Sequence, residues 1–150
     1  MTSKILCVGA LTMDTILRLD VLPQAAGKYL PREAVEIAAG MASSAASAIA
    51  RLGGEVALWA SAGADPVGDR AVAELEAEGI DCGYIRRLED ARTAFSSILV
   101  DANGERMIVP FYDRRLASPS EAVPPIAAGN YAAVMTDVRW PWAAETALRA

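Results

Sequence analysis

Ala38-Ala39-Gly40-Met41-Ala42-Ser43-Ser44-Ala45-Ala46-Ser47-Ala48-Ile49-Ala50-Arg51-Leu52-Gly53 opens among small residues and a glycine, continues through about three turns of alanine and serine, and stops at another glycine. Alanine is the best helix former and glycine just past the last turn is the usual stop, so the spacing predicts a helix over Met41–Leu52. The first turn of such a helix leaves backbone N–H groups unpaired and carries partial positive charge, which suits hydroxyls or anions. Gly40 would let a ligand come close to the backbone there, and Ser43 and Ser44 add hydroxyls. The alternative is that small side chains let the helix pack tightly on a sheet. Composition alone favours that alternative over a ligand site.

Around this helix the chain has 150 residues, 53% hydrophobic and 22% charged, which fits one globular domain. A chain of this length buries roughly two-thirds of its surface on folding. The net charge is −5 with both signs scattered, which argues against nucleic acid or an anionic membrane as the main partner. No run approaches the ~18 apolar residues of a membrane-spanning helix, and the N-terminus, one lysine before a short strand-like stretch, does not read as a convincing export signal. Cys7 and Cys82 have no C-x-x-C spacing and read as reduced thiols, so a cytoplasmic location is expected.

The sequence contains no histidine. That excludes Ser-His-Asp and Cys-His catalysis and every histidine-ligated metal site, and leaves acid–base work to carboxylates, lysines or groups outside the chain. The closing Ala144-Glu145-Thr146-Ala147-Leu148-Arg149-Ala150 reads as the inside of a helix, as if the chain were cut there.

Lys4 to Gly9 is a short apolar run typical of a buried parallel strand. Asp14 follows it, either at the ligand crevice that open α/β sheets form at strand ends or as a turn or N-cap aspartate. Ile16–Val21 and Lys28–Ile37 read as two extended segments around the loop Pro23–Gly27. They are expected to form a small sheet standing off the main one, a flap able to cover a site. Lys28, beside the loop, reads as part of that site or as solvated surface, while Arg32, Glu33 and Glu36 read as a solvated face.

Glu55–Ala62 is a second buried strand, and Asp69–Glu78 an amphipathic helix closed by Gly79. Gly63 to Gly68 lacks the Lys-Ser/Thr of a phosphate-binding loop, and no G-x-G-x-x-G follows a strand. Ile80–Arg87 reads as a short strand, and Thr93–Asp101 and Glu105–Phe111 as a hairpin joined through Asn103-Gly104. Arg86, Arg87, Arg92 and Arg106 read as solvated or paired charges, and Arg114 to Pro125 as an exposed connection. Ala132–Thr136 is a final buried strand. Asp137, Arg139, Trp140 and Trp142 follow it, either lining a pocket or forming a surface pair beside tryptophans packed on the core.

The order of strand, Asp14, two flap strands, small-residue helix, strand, Gly63-Ala64-Asp65-Pro66-Val67-Gly68-Asp69, helix and hairpin resembles the N-terminal half of the ribokinase-like (PfkB) carbohydrate kinases. Gly9, Gly40, Ala50-Arg51-Leu52-Gly53, Glu74-Leu75-Glu76-Ala77-Glu78-Gly79-Ile80 and Val100-Asp101-Ala102-Asn103-Gly104-Glu105-Arg106 carry the likeness over nearly the whole chain. It is most similar to the branch acting on 6-deoxy-6-sulfofructose, through Gly27-Lys28-Tyr29, Gly104-Glu105-Arg106 and Asp137-Val138-Arg139-Trp140.

The resemblance implies an α/β ribokinase-like sandwich with a mostly parallel central sheet and a small β-sheet lid at about 15–37 and 93–111. It implies transfer of the γ-phosphoryl of ATP, with Mg²⁺, to a primary hydroxyl of a ketose-type sugar. Asp14 would hold sugar hydroxyls, the Gly40 region and Ser44 would face the sugar, and Lys28 and Arg139 would face an anionic group. A lysine point charge and a forked arginine suit a sulfonate or phosphate. The nucleotide site and catalytic base would lie in the family's C-terminal half, so this chain alone is expected to be inactive. Exposed flap edges suggest a homodimer.

The sequence departs from the family at Ala39, at Ala60, at Ser44, where the family has an asparagine, and at Pro110, where the sulfosugar branch has one. A non-catalytic sugar-binding or regulatory homologue and a nucleoside kinase of the same fold are the rival readings.

Overall fold

The structure is a computed structural model that describes residues 4–126 and 130–150. A four-stranded parallel sheet forms its centre. β1 (Ile5–Gly9) lies between β4 (Val56–Gly63) and β8 (Ala133–Thr136), and β5 (Arg86–Leu88) extends the sheet beyond β4. β4 is buried at every residue, as an apolar run without alternation requires when both faces of a parallel sheet are covered.

One face is covered by α1 (Met41–Arg51) and α2 (Pro66–Ala77), whose Ala42, Ala46, Ala71 and Leu75 pack on Cys7, Leu58 and Ala60. α3 (Pro141–Arg149) covers the other face, with Ala143 and Ala147 against Leu6, Val8, Trp59 and Trp140. The small side chains of α1 therefore do pack closely on the sheet.

A second sheet has the order β3-β2-β6-β7, built from β2 (Thr12–Arg18), β3 (Glu33–Ala39), β6 (Ala94–Val100) and β7 (Arg106–Phe111). β2 and β6 run parallel, and the outer pairs antiparallel. The Asn103-Gly104 hairpin turns as its sequence predicts. Gly104 takes a φ of +84°, and the Asp101 carboxylate accepts from the amides of Asn103 and Glu105.

The limits of several elements differ from expectation. β2 begins at Thr12 rather than Ile16, so Asp14 is a strand residue and not a turn or cap. β3 begins at Glu33 rather than Lys28, because its first partner is Arg18, the last residue of β2. Between Ile80 and Ile85 the chain makes only an isolated bridge, Asp81 to Ala57, before β5.

The segment after β7 is not simply exposed. It forms a 3-10 turn at Arg114–Ala117 and buries Leu116 and Ile126. Arg86 ties it down, donating to the carbonyls of Leu116 (3.0 Å) and Pro119 (2.8 Å) and to Ser61 Oγ (3.2 Å), with its guanidinium 4.9 Å from the Trp140 ring centroid. Arg86 is thus a half-buried structural cation rather than a surface charge. Trp140 also stands edge-on to Trp59 at 5.3 Å and lies 6.2 Å from Trp142.

Both cysteines are buried and unpaired, and burial pushes the Cys7 thiol to about 11 and the Cys82 thiol to about 12. They stay protonated and unreactive near neutral pH. Among the described residues no helix is long and apolar enough to cross a membrane.

Candidate functional site

A pocket of about 290 Å³ opens where the two sheets meet. Its size is near the lower end of small-molecule sites, which run from about 300 to 1,000 Å³. Thr12 and Asp14 come from β2, Gly40 and Met41 from the start of α1, Ser96 and Ile98 from β6, and Ile108 and Pro110 from β7, with Tyr112 and Arg139 at the side.

The period of two explains this set. Asp14 is directly opposite Ser96, and Ser96 directly opposite Pro110, so the three side chains point to one face of the second sheet. Thr12, two residues before Asp14 and on the same face, donates its hydroxyl to Asp14 Oδ1 at 2.9 Å. Among the described residues the second carboxylate oxygen of Asp14 accepts no hydrogen bond. Pro110 has no N–H, which an outer strand such as β7 tolerates.

The pocket brings together Asp14, Gly40 and Arg139. Lys28 and Ser44 do not line it. Lys28 is exposed in the connection between β2 and β3, and Ser44 is on the solvent side of α1, donating its amide to the Gly40 carbonyl. The neighbouring Ser43 is the buried serine, and its hydroxyl donates to the Ala10 carbonyl at 2.9 Å.

Gly40 is held by the chain itself. Its φ is +106°, and a Cβ there would lie 2.5 Å from the Ala10 carbonyl oxygen. A side chain at this position meets both a strained backbone and a clash.

The start of α1 is occupied by Asp137. Asp137 Oδ2 accepts from the amide of Ala10 at 2.8 Å and of Ala42 at 3.1 Å, and Oδ1 accepts from the amide of Arg139 at 2.8 Å. The unpaired N–H groups of the first turn thus have an internal anion. Asp137 and Arg139 do not form the surface pair that local sequence allowed, since the contact runs to the Arg139 main chain. Tyr112 donates its hydroxyl to the Arg139 carbonyl at 3.2 Å. Burial first, and then the Asp137 charge, raise the Tyr112 hydroxyl above its ordinary value, so it remains a donor.

Sequence reasoning missed Tyr112, Ser96 and Thr12. For Ser96 and Thr12 the signal was available, since both share the strand period of Asp14 once β2 and β6 are paired.

The pocket carries one carboxylate and one guanidinium among hydroxyls and an apolar wall. It can accept from a polyol hydroxyl through Asp14 and donate to an anion through Arg139. Among the described residues no three His, Cys, Asp or Glu side chains cluster as a metal site.

Residues 2–131 match the family model of the pfkB family carbohydrate kinases. The chain is 35% identical over 102 residues to the ATP-dependent ribose-1-phosphate kinase of Halopiger xanaduensis, covering 68% of this chain and 34% of that protein. It is 32% identical over 117 residues to a fructokinase of Klebsiella pneumoniae, covering 75% and 36%. The crystal structure of a provisionally assigned ribokinase from Agrobacterium tumefaciens superposes with a TM-score of 0.88 at 45% identity, over 94% of this chain and 46% of that one. The chain spans about a third of the length of these curated relatives.

Proposed function

The chain belongs to the pfkB family of carbohydrate kinases, and from that premise we propose that it forms the sugar-binding part of an ATP-dependent kinase acting on an anionic ketose. The phosphoryl group goes to a primary hydroxyl, and 6-deoxy-6-sulfofructose is the favoured substrate. The observation that carries this reading is the convergence of Asp14 and Arg139 on one pocket beside Gly40.

Asp14, already fixed by Thr12, accepts from sugar hydroxyls and so sets the orientation of the ring. Ser96 adds a second hydroxyl partner. Arg139 takes the sulfonate or phosphate, for which its planar donors are suited. Ile98, Ile108 and Pro110 form an apolar wall that helps exclude water from the bound sugar. Positioning and electrostatics dominate phosphoryl transfer, and these residues supply the acceptor's share of both.

ATP is proposed as donor, in keeping with the name of the Halopiger relative. Mg²⁺ would accompany it, screening the phosphate charge. Among the described residues no three His, Cys, Asp or Glu side chains cluster to hold it.

The test is ATP-dependent phosphorylation by the full-length protein across fructose, fructose 6-phosphate, 6-deoxy-6-sulfofructose, ribose 1-phosphate and nucleosides. Highest kcat/KM on an anionic ketose is expected. Highest turnover on a nucleoside replaces the substrate assignment, and no turnover on any of them supports a non-catalytic binding protein.

A further inference from the structure

We propose that Asp137 is a positioning residue of the sugar pocket, setting the place of Arg139 and of the Gly40 turn through one carboxylate. This rests on the reading of the pocket as a sugar site that uses Arg139 for an anion. The carboxylate joins three parts of the chain that are distant in sequence: the residue after β1, the first turn of α1, and the main chain after β8. All three reach the wall of the pocket, through Ala10, through Gly40-Met41 at α1 and through Arg139 after β8.

The fit around this carboxylate is close. Gly9 has a φ of +146°, and a Cβ there would lie 2.2 Å from Asp137 Cγ. Glycine at this position is what gives the carboxylate its room. The consequence for recognition is specific. The α1 N-terminus, a ready anion site in an empty helix, is neutralised from within. A sulfonate or phosphate on the sugar therefore meets Arg139 rather than the helix amides, and it meets an arginine whose own amide is held by Asp137.

Asparagine retains one acceptor oxygen and replaces the other with a donor, so Asp137→Asn must abandon at least one of the three amides. In the full-length protein we expect D137N to raise KM for the anionic sugar at least tenfold while KM for ATP stays within twofold. The increase should be smaller for the neutral analogue fructose, because Arg139 is the group displaced. In the R139A background D137N should add less than twofold for the anionic sugar, since the group it positions is gone. Thermal melting of each variant identifies loss of fold, and kinetic constants are taken only well below the midpoint. If D137N does not fold, Asp137→Ser, which is smaller and keeps a hydroxyl acceptor, is read in its place.

Unchanged sugar KM with a lowered melting temperature overturns the proposal, leaving Asp137 a structural tie only. Equal losses for anionic and neutral sugars overturn the link to Arg139. Absence of turnover by the unmodified protein on every sugar overturns the sugar-kinase reading and this proposal with it, whereas turnover with identical KM values in D137N overturns this proposal alone.

Discussion

Asp14 and Arg139 line one pocket with opposite charge, and each should fail in its own way when truncated. A hydrogen bond to a charged group contributes about 1.5–3 kcal/mol, or roughly 10- to 100-fold in binding. Arg139→Ala is therefore expected to raise KM for the anionic sugar by about that factor and leave KM for fructose within a few-fold. Asp14→Asn should lower kcat/KM for both sugars, because ring hydroxyls are common to both. Steady-state kinetics of the two variants on the two sugars checks this, and an equal effect of R139A on both sugars would remove the anion from the assignment. Ser44, outside the pocket, provides the contrast. Ser44→Ala should change no kinetic constant by more than about twofold.

Among the elements, the join between the β4–α2 loop and the second sheet carries a cluster of buried polar contacts. Asp65 caps α2 by accepting from the Gly68 amide at 2.8 Å, and also accepts from the Thr93 amide at 2.8 Å and the Thr93 hydroxyl at 2.7 Å. The Thr93 hydroxyl in turn accepts from the Gly63 amide at 3.0 Å. Thr93→Val should cost about 1–3 kcal/mol by stranding buried polar groups, readable in urea denaturation. Burial raises the Asp65 carboxyl, but the hydrogen bonds from Thr93 and Gly68, with the Arg87 charge, outweigh it and hold it below its ordinary value. Its contribution is present above the unfolded value of about 3.9 and is lost as pH falls through the lower folded value. The melting temperature should drop below about pH 4, and less steeply in Asp65→Asn. These elements differed in how legible they were. β1 and β4 show as unbroken apolar runs, α1 as alanines between glycines, and the hairpin as Asn-Gly. The start of β3 was not legible, because a strand extends only as far as its partner does, and β2 ends at Arg18. The role of Asp137 was hidden for a stronger reason, since its amide partners Ala10 and Ala42 lie 127 and 95 residues away.

For the molecule as a whole, β3 and β7 are the outer strands of the second sheet; α2 meets β3, where Glu74 accepts from the Ala38 amide at 2.9 Å, whereas Met107, Ile108 and Val109 on β7 are all exposed. Open apolar edges favour association with a second copy. The full-length protein is expected to be a homodimer by light scattering, and Val109→Lys to shift it toward monomer. An unchanged mass in the variant would move the contact elsewhere. Trp140 adds a consequence of another kind. It directly follows Arg139, contacts Trp59 and has the Arg86 guanidinium 4.9 Å from its ring centroid. Indole emission responds to its surroundings, so if Arg139 takes the anionic sugar, tryptophan emission is expected to change on a sugar titration of the full-length protein. A saturating change in that emission would make the tryptophans an optical gauge of pocket occupancy, read without a label, a coupled enzyme or a turnover event.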